Sequence, residues 1–147
     1  PKVRVDLPAM SEALLNLLQN AFKYTGPYKV IGLRCVRRGN QVLFQITDNG
    51  PGIPKSEHRR IFEKFYRLTR PEMQPQGSGL GLSMVYHIVR AHQGTTTVES
   101  ELGQGATFTV SLPAVLESPL SRYLPGDSFP PVSQPEIKSN QAGSNSR

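Results

Sequence analysis

The chain has 147 residues, an apolar fraction of 37% and a formal net charge of +6. This length suffices for one domain with a hydrophobic core, and the sequence has no run of about 18 apolar residues that could span a bilayer. The single cysteine, Cys35, excludes an intramolecular disulfide and is predicted to be a core residue of an apolar strand. Basic residues cluster between Lys55 and Arg70 with few aromatic neighbours, which disfavours nucleic-acid binding.

The N-terminal part of the chain predicts a short strand at residues 3–5 followed by a helix up to Tyr24. Asp6 is a favourable N-cap residue, and Thr25-Gly26-Pro27 ends the helical pattern. Apolar residues recur on one face of this helix at Leu14, Leu17, Leu18 and Ala21.

The remaining pattern predicts an α+β fold, a two-layer α/β sandwich. Its sheet is expected to be mixed but mostly antiparallel, with the helices on one face. Alternation and turn residues predict strands at 28–36, 41–48, 95–101 and 106–112, helices at 55–67 and 79–92, and a loop at 69–76.

The chain changes in composition near Pro113, so we expect one domain at residues 1–113 and a tail at 114–147. The tail is rich in Pro, Ser, Gly, Asn and Gln, and such a segment buries too little apolar surface to offset its ordering entropy. The alternative is an ordered arm that docks on the domain through Leu116, Leu120, Tyr123 and Leu124.

Four short motifs stand out within the first domain. Asn16 and Asn20 share one helix face with Lys23, a combination able to hold Mg²⁺ and phosphate together. Asp48 follows a strand and precedes Asn-Gly-Pro-Gly, where glycines allow close backbone approach to a ligand. Each of these also fits a simpler interpretation, a solvated helix face for the first and an ordinary turn for the second.

The other two motifs surround the predicted loop at 69–76. Residues 61–67 place apolar side chains in a basic segment that could close over a ligand, with Arg67 reaching a phosphate, or could be a surface helix. Gly77-Ser-Gly-Leu-Gly81 precedes a helix, where backbone N–H groups and the helix dipole favour an anion. A flexible hinge is the alternative for this motif.

Together and in this order, the motifs resemble the N, G1, F and G2 boxes of the ATP-binding catalytic domain of sensor histidine kinases. This domain belongs to the GHKL superfamily and has the Bergerat fold. The resemblance covers residues 3–113, including the closing hairpin at 103–113. The matching segments are Asn-Leu-Leu-x-Asn-Ala-x-Lys-Tyr-Thr (16–25), Asp-x-Gly-x-Gly-Ile (48–53), Ile-Phe-Glu-x-Phe-Tyr-Arg (61–67) and Gly-x-Gly-Leu-Gly-Leu (77–82).

The resemblance implies catalytic roles for Asn16, Lys23 and Arg67. Asn20 would bind Mg²⁺ with Asn16 beside it, Lys23 would meet the phosphates, and Arg67 would help at the γ-phosphate. Hydrolytic relatives carry a Glu at the position of Asn16, where it activates water. The carboxamide here implies slow hydrolysis and favours transfer to another nucleophile.

The resemblance also implies an adenine site. Asp48 would accept the adenine amino group, Tyr24 would flank the base or ribose, and Thr107 would join the adenine contact. The other residues implied to bind the cofactor are Gly50, Gly52, Ile53, Phe62, Gly77, Gly79, Leu80, Gly81 and Leu82.

The implied function is binding of Mg-ATP and transfer of its γ-phosphoryl to a histidine on a separate dimerisation and phosphoacceptor domain. A response regulator would act downstream in a two-component pathway. His58, His87 and His92 do not lie in a phosphoacceptor motif. We expect the chain to be a monomeric, cytoplasmic part of a longer kinase. In that kinase another helix and strand would precede residue 3.

Two other functions fit the same fold. One is a serine kinase of the anti-sigma-factor kind, which the complete Phe-Tyr-Arg motif at residues 65–67 disfavours. The other is a catalytically silent module that senses ATP or binds a partner, which the complete set of boxes disfavours.

Overall fold

The computed structural model describes residues 1–68 and 77–115. The loop predicted at 69–76 lies outside these residues, as does the tail predicted from 114 onward except for Ala114 and Val115. The alternative of a docked arm also falls outside them.

The first helix, α1, runs from Leu7 to Tyr24 as predicted. The Asp6 side chain accepts a hydrogen bond of 3.0 Å from the Ala9 N–H, which satisfies one of the free donors at the helix start. Thr25 adopts an extended conformation and ends the helix. The buried face of α1 consists of Met10, Ala13, Leu17 and Ala21.

Four strands form one sheet in the order β1-β2-β4-β3, and every neighbouring pair is antiparallel. The strands are β1 Ile31–Arg38, β2 Gln41–Asp48, β3 Thr95–Ser100 and β4 Ala106–Pro113. The central pairing places Ile46 opposite Phe108 and Val42 opposite Leu112, so these side chains share one face of the sheet. That face packs against α1 and the second helix, α2 (Gly81–Ala91), which confirms the predicted two-layer α+β sandwich.

Four predicted elements differ from the structure. The strand predicted at 28–36 begins three residues later, as β1. Residues 3–5 form only an isolated bridge between Val3 and Ala114. The helix α2 spans Gly81–Ala91 and starts later than predicted because Gly79 has a φ of 73°, outside the helical region. The predicted helix at 55–67 is wrong: the segment holds two short 3-10 turns, Lys55–Glu57 and Arg60–Phe62. Extended Glu63 and left-handed Phe65 (φ 63°) prevent a continuous helix.

The prediction that Cys35 is a core residue is also wrong. The register places Cys35 opposite Phe44 and Leu33 opposite Ile46, on the helix-facing side of the sheet. Cys35 is nevertheless exposed and Leu33 is 57% exposed, because β1 is an edge strand and is less buried than the inner strands β2 and β4. Within the described part of the chain, no helix has the length and apolarity required to cross a membrane.

His92 joins the end of α2 to the start of α1. Its Nε2 accepts a hydrogen bond of 2.9 Å from the Asp6 N–H, so Nδ1 carries the proton and donates to the Ile88 carbonyl at 2.7 Å. We expect His92→Ala to lower the free energy of unfolding by about 1–2 kcal/mol, because the hydrogen bonds of the ring to the Asp6 N–H and to the Ile88 carbonyl are both lost. Urea denaturation measures this loss.

The matched control is His87→Ala, since His87 is exposed on α2. Its ring packs against the Tyr86 ring at a centroid distance of 5.6 Å. Its expected effect is within about 0.5 kcal/mol. Equal losses for the two variants would contradict the bridging role of His92.

Candidate functional site

A cleft opens between the C-terminal half of α1 and the first turn of α2. Its floor is formed by Asp48 at the end of β2 and by Ala106 and Phe108 of β4. The segments at 51–53 and 61–68 close its other sides. The cleft has a volume of about 310 Å³, which is within the range of small-molecule sites.

Most of the predicted site residues meet at this cleft. Those that line it are Asn16, Asn20, Lys23, Tyr24, Asp48, Gly52, Ile53, Arg67, Gly77, Gly79, Gly81 and Leu82. They come from four separate segments of the sequence, so the fold brings the four motifs to one place.

The polar side of α1 approaches the start of α2. Asn16 Nδ2 donates to the Glu12 carbonyl at 3.0 Å, while a Cβ on Gly81 would lie 3.1 Å from Asn16 Oδ1. Likewise, a Cβ on Gly77 would lie 2.7 Å from Lys23 Nζ. The glycines therefore let a carboxamide oxygen and an ammonium group lie directly against the backbone that leads into α2.

The first turn of α2 is suited to an anion. No side chain of the described residues caps the helix at Leu80, so the first N–H groups of α2 have no side-chain acceptor there. The dipole of an 11-residue helix adds partial positive charge at this end. Together with Lys23, this makes one end of the cleft electropositive.

Asp48 supplies a buried carboxylate on the floor of the cleft. The residue is 9% exposed, and Oδ1 accepts a hydrogen bond of 2.8 Å from the Gly50 N–H. Burial raises the pKa of Asp48 above its ordinary value, while hydrogen bonds from the backbone of Gly50 and Ala106 partly oppose this rise. An ionised carboxylate has more acceptor positions than these two donors occupy, so a ligand that brings an N–H group can add a hydrogen bond.

The loop after Asp48 is held by the hairpin between β3 and β4. Gly52 has a φ of 72°, and a Cβ there would lie 1.8 Å from the Glu101 carbonyl oxygen. The Ile53 N–H donates to Ser100 Oγ at 2.8 Å, and the Gly103 N–H donates to the Pro51 carbonyl at 2.9 Å. The glycine is required because the two backbones touch at this point.

Asn49 anchors the other side of this loop. Its Oδ1 accepts from the Val30 N–H at 2.8 Å, and its Nδ2 donates to the Tyr28 carbonyl at 2.9 Å. Both bonds reach the connection between α1 and β1. Asn49 therefore fixes Asp48 relative to the end of α1, a role that its position in a common turn sequence did not reveal.

The F and G2 boxes are in direct backbone contact. The Phe65 N–H donates to the Gly79 carbonyl at 3.0 Å, and a Cβ on Gly79 would lie 2.8 Å from the Phe65 carbonyl carbon. Nearby, the Tyr66 hydroxyl donates to Glu57, and the Arg60 guanidinium lies 4.4 Å from the Tyr66 ring centroid. These contacts hold Tyr66 and Arg67 at the cleft.

Four predicted cofactor-binding residues do not line the cleft. Thr107 lies on the outer face of the sheet, where its hydroxyl is 3.0 Å from that of Thr47, so the predicted adenine contact is not supported. Phe62 packs beneath the cleft, with its ring centroid 6.3 Å from that of Phe108. Gly50 acts on the site indirectly, because its N–H donates a hydrogen bond to Asp48 Oδ1. The Leu80 carbonyl accepts a hydrogen bond of 2.9 Å from the Ser83 hydroxyl within the first turn of α2.

Other cleft residues were missed by sequence reasoning. The period-2 alternation of β4 places Ala106 and Phe108 on the same face as Asp48, opposite to Thr107, so the pattern itself contained this signal. The remaining missed lining residues are Gln19, Ala21, Pro51, Ile61, Tyr66, Leu68 and Ser78. No local pattern distinguished these from ordinary core or surface positions.

The cleft does not provide a complete metal site from protein groups. The described residues contain no group of three or more His, Cys, Asp or Glu side chains placed to hold a metal ion. The carboxamides of Asn16 and Asn20 are oxygen ligands suited to Mg²⁺, which commonly completes its shell with water and substrate phosphates. The donor set therefore fits a magnesium ion that arrives with a nucleotide.

Comparison with known proteins agrees with this geometry. A model of the family "Histidine kinase-, DNA gyrase B-, and HSP90-like ATPase" matches residues 5–116. Over 111 residues the chain is 43% identical to the circadian input-output histidine kinase CikA of Synechococcus elongatus, a match that covers 75% of this chain and 15% of CikA. The chain spans about a third or less of the curated relatives it matches.

Solved structures show the same fold. The mycobacterial sensor histidine kinase MprB matches with a TM-score of 0.67 and 34% identity, over 76% of this chain and 74% of that one. Full-length ShkA in complex with AMPPNP matches with a TM-score of 0.68 and 34% identity, over 82% of this chain and 25% of that one. Because the family model covers most of the sequence and these structures share its fold, the chain belongs to the histidine kinase-, DNA gyrase B- and HSP90-like ATPase family.

Proposed function

We propose that residues 1–113 form the catalytic domain of a two-component sensor histidine kinase. The domain binds Mg-ATP and supplies the γ-phosphoryl group to a histidine on a separate dimerisation and phosphoacceptor domain, from which a response regulator receives it. In this proposal the domain is a monomer that works in the cytoplasm, where ATP is available, and the segment from 114 onward is a low-complexity tail.

The observation that carries the proposal is the polarity of the cleft. A buried carboxylate, Asp48, lies on the floor of the cleft, and Lys23 and the start of α2 supply positive charge elsewhere in the same cleft. ATP has the matching arrangement, with an amino group on the base and anionic phosphates. CikA is named a histidine kinase, and ShkA was solved with the ATP analogue AMPPNP.

The proposed assignments follow from this orientation. Asp48 accepts the adenine amino group, and Tyr24, Gly52, Ile53 and Leu82 enclose the base and ribose. Asn20 and Asn16 hold Mg²⁺, which neutralises phosphate charge when bound. Lys23, Arg67 and the backbone around Gly77, Gly79 and Gly81 contact the phosphates. Catalysis then consists mainly of positioning and charge stabilisation.

Transfer is favoured over hydrolysis by the composition of the cleft. Asp48 is the only carboxylate among its described lining residues, and it lies at the adenine end. Near the phosphates, α1 presents Asn16, whose carboxamide cannot act as a general base. A water molecule would therefore be poorly activated, whereas an imidazole brought by the acceptor domain is itself a nucleophile.

The first test is calorimetric titration of the domain with ATP in the presence and absence of Mg²⁺, followed by phosphotransfer to an added acceptor domain. Replacing Asn20 by Ala removes a proposed magnesium ligand. We expect ATP affinity in Mg²⁺ to fall by about 10–100-fold, with little change in its absence, since a hydrogen bond or ligand contact to a charged group contributes about 1.5–3 kcal/mol.

Gln19→Ala is the matched control, because Gln19 is also a carboxamide of α1 at the cleft edge but is exposed. We expect less than about a twofold change in affinity for it, as is typical of surface substitutions. We expect Mg²⁺ to strengthen ATP binding by the unmodified domain but not by the Asn20 variant, and this result would support the metal assignment. If Mg²⁺ strengthens ATP binding by the variant as much as by the unmodified domain, the assignment is wrong.

A further inference from the structure

Thr25, the residue that ends α1, has a buried hydroxyl without a hydrogen-bond partner among the described residues. The residue is 4% exposed. Its backbone groups are satisfied, since the N–H donates to the Ala21 carbonyl at 3.1 Å and the carbonyl accepts from Lys29 Nζ at 2.6 Å. Only the hydroxyl is left over, and a buried hydroxyl without a partner opposes folding. Such a group calls for a functional explanation.

The surroundings of this hydroxyl identify its natural acceptor. A Cβ added to Gly50 would lie 2.7 Å from Asp48 Oδ1, 3.2 Å from the Tyr24 carbonyl oxygen and 3.6 Å from Thr25 Oγ1. Three oxygen atoms therefore surround the position that a Cβ atom of residue 50 would occupy. Two of them can only accept, so the Thr25 hydroxyl is the donor in this group. The Asp48 carboxylate is the stronger acceptor when ionised.

Among the described residues, the other buried hydroxyls without partners lie away from this point. Those of Thr96 and Ser111 belong to β3 and β4, and neither residue lines the cleft. Thr25 differs because it directly follows Tyr24, which lines the cleft, and approaches the carboxylate at its floor.

We infer that Thr25 is a positioning residue for adenine recognition: when ATP is bound, its hydroxyl donates to Asp48 Oδ1 and so orients the carboxylate towards the amino group of the base. The inference rests on the proposed function, because it concerns the recognition of ATP in the same cleft. Gly50 is part of the arrangement, since any side chain there would separate the two oxygens. The residue that ends the metal-binding helix thereby also sets the geometry of the base site.

Thr25→Val tests this inference, because valine keeps the shape of threonine and removes the hydroxyl. The nucleotides are ATP and purine riboside triphosphate, which lacks the amino group that Asp48 receives. We expect Thr25→Val to weaken ATP binding by about 5–10-fold and binding of the analogue by less than about twofold, as loss of one hydrogen bond to a charged group predicts. Thr25→Ser, which keeps the hydroxyl, should bind both nucleotides like the unmodified domain.

Each outcome is decisive. Equal weakening for both nucleotides, or none for ATP, overturns the role of Thr25 while leaving ATP binding intact. Failure of the unmodified, folded domain to bind either nucleotide overturns the proposed function and the inference with it. If Thr25→Val does not fold, as shown by its circular dichroism, Thr25→Ala gives the same comparison, since it also removes the hydroxyl and leaves room for the neighbouring side chains to adjust.

Discussion

Asp48→Asn is expected to lower the affinity for ATP by at least about 100-fold. The Asn side chain presents either its NH₂ group or its neutral carbonyl oxygen, a weaker acceptor, to the adenine amino group. A charge-assisted hydrogen bond is then lost, and with the NH₂ group facing the base a buried donor is left unpaired. Each of these two losses costs about 1–3 kcal/mol. Calorimetric titration with ATP measures the effect. Asp6→Asn is the matched control, since Asp6 is an exposed N-cap at the far end of α1 and Asn is an equally good cap.

The same substitution is expected to preserve or raise the free energy of unfolding at neutral pH. Burial raises the pKa of Asp48 in the folded state, so the folded protein binds this proton more tightly than the unfolded chain does. The ionised carboxylate therefore opposes folding above the raised pKa, and this penalty disappears as the pH falls through it. The Asn side chain is never ionised, so its advantage over Asp should shrink in acid.

Two measurements check this prediction. Urea denaturation of both proteins at neutral pH and near pH 4, about the ordinary pKa of a carboxyl group, gives the stability difference and its pH dependence. Titration with ATP over the same range should show the unmodified domain losing affinity as Asp48 becomes protonated. A variant that unfolds more easily at neutral pH but binds ATP normally would show that Asp48 is a structural residue.

Gly52→Ala is expected to lower the free energy of unfolding by about 3–5 kcal/mol or to prevent folding. A left-handed conformation costs a residue with a Cβ about 1–2 kcal/mol. The new Cβ would also lie 1.8 Å from the Glu101 carbonyl oxygen, so the hairpin between β3 and β4 must move away. That movement strains the bonds from Ile53 to Ser100 and from Gly103 to Pro51, each worth about 1 kcal/mol.

Two other glycines separate the conformational effect from the steric one. Gly103 has a φ of 78° but open space around its Cβ position, so Gly103→Ala should cost only the conformational part, about 1–2 kcal/mol. Gly32 in β1 has neither constraint, and Gly32→Ala should change stability by less than about 1 kcal/mol. Urea denaturation of the three variants should give this order, and equal losses at Gly52 and Gly103 would refute the steric argument.

The sequence alone determined most of the local structure of this domain. The apolar period of α1, the Asp6 cap and the alternation of the strands are set by neighbouring residues, so they could be predicted with their approximate limits. The order of the four boxes indicated the family and most cleft residues, because the matches are specific in type and spacing. Asp48 and the glycines of the G2 box were identified in this way.

Only the tertiary structure decided the features that depend on contacts between distant segments. The exposure of Cys35 follows from how far the helices extend over β1, and the outward direction of Thr107 follows from its pairing with Thr47. The irregular path of residues 55–67 depends on Phe65 meeting Gly79. The orphan hydroxyl of Thr25 exists only because the end of α1 lies against the loop after β2. Burial and hydrogen-bond satisfaction are properties of the assembled fold, so a local pattern does not encode them.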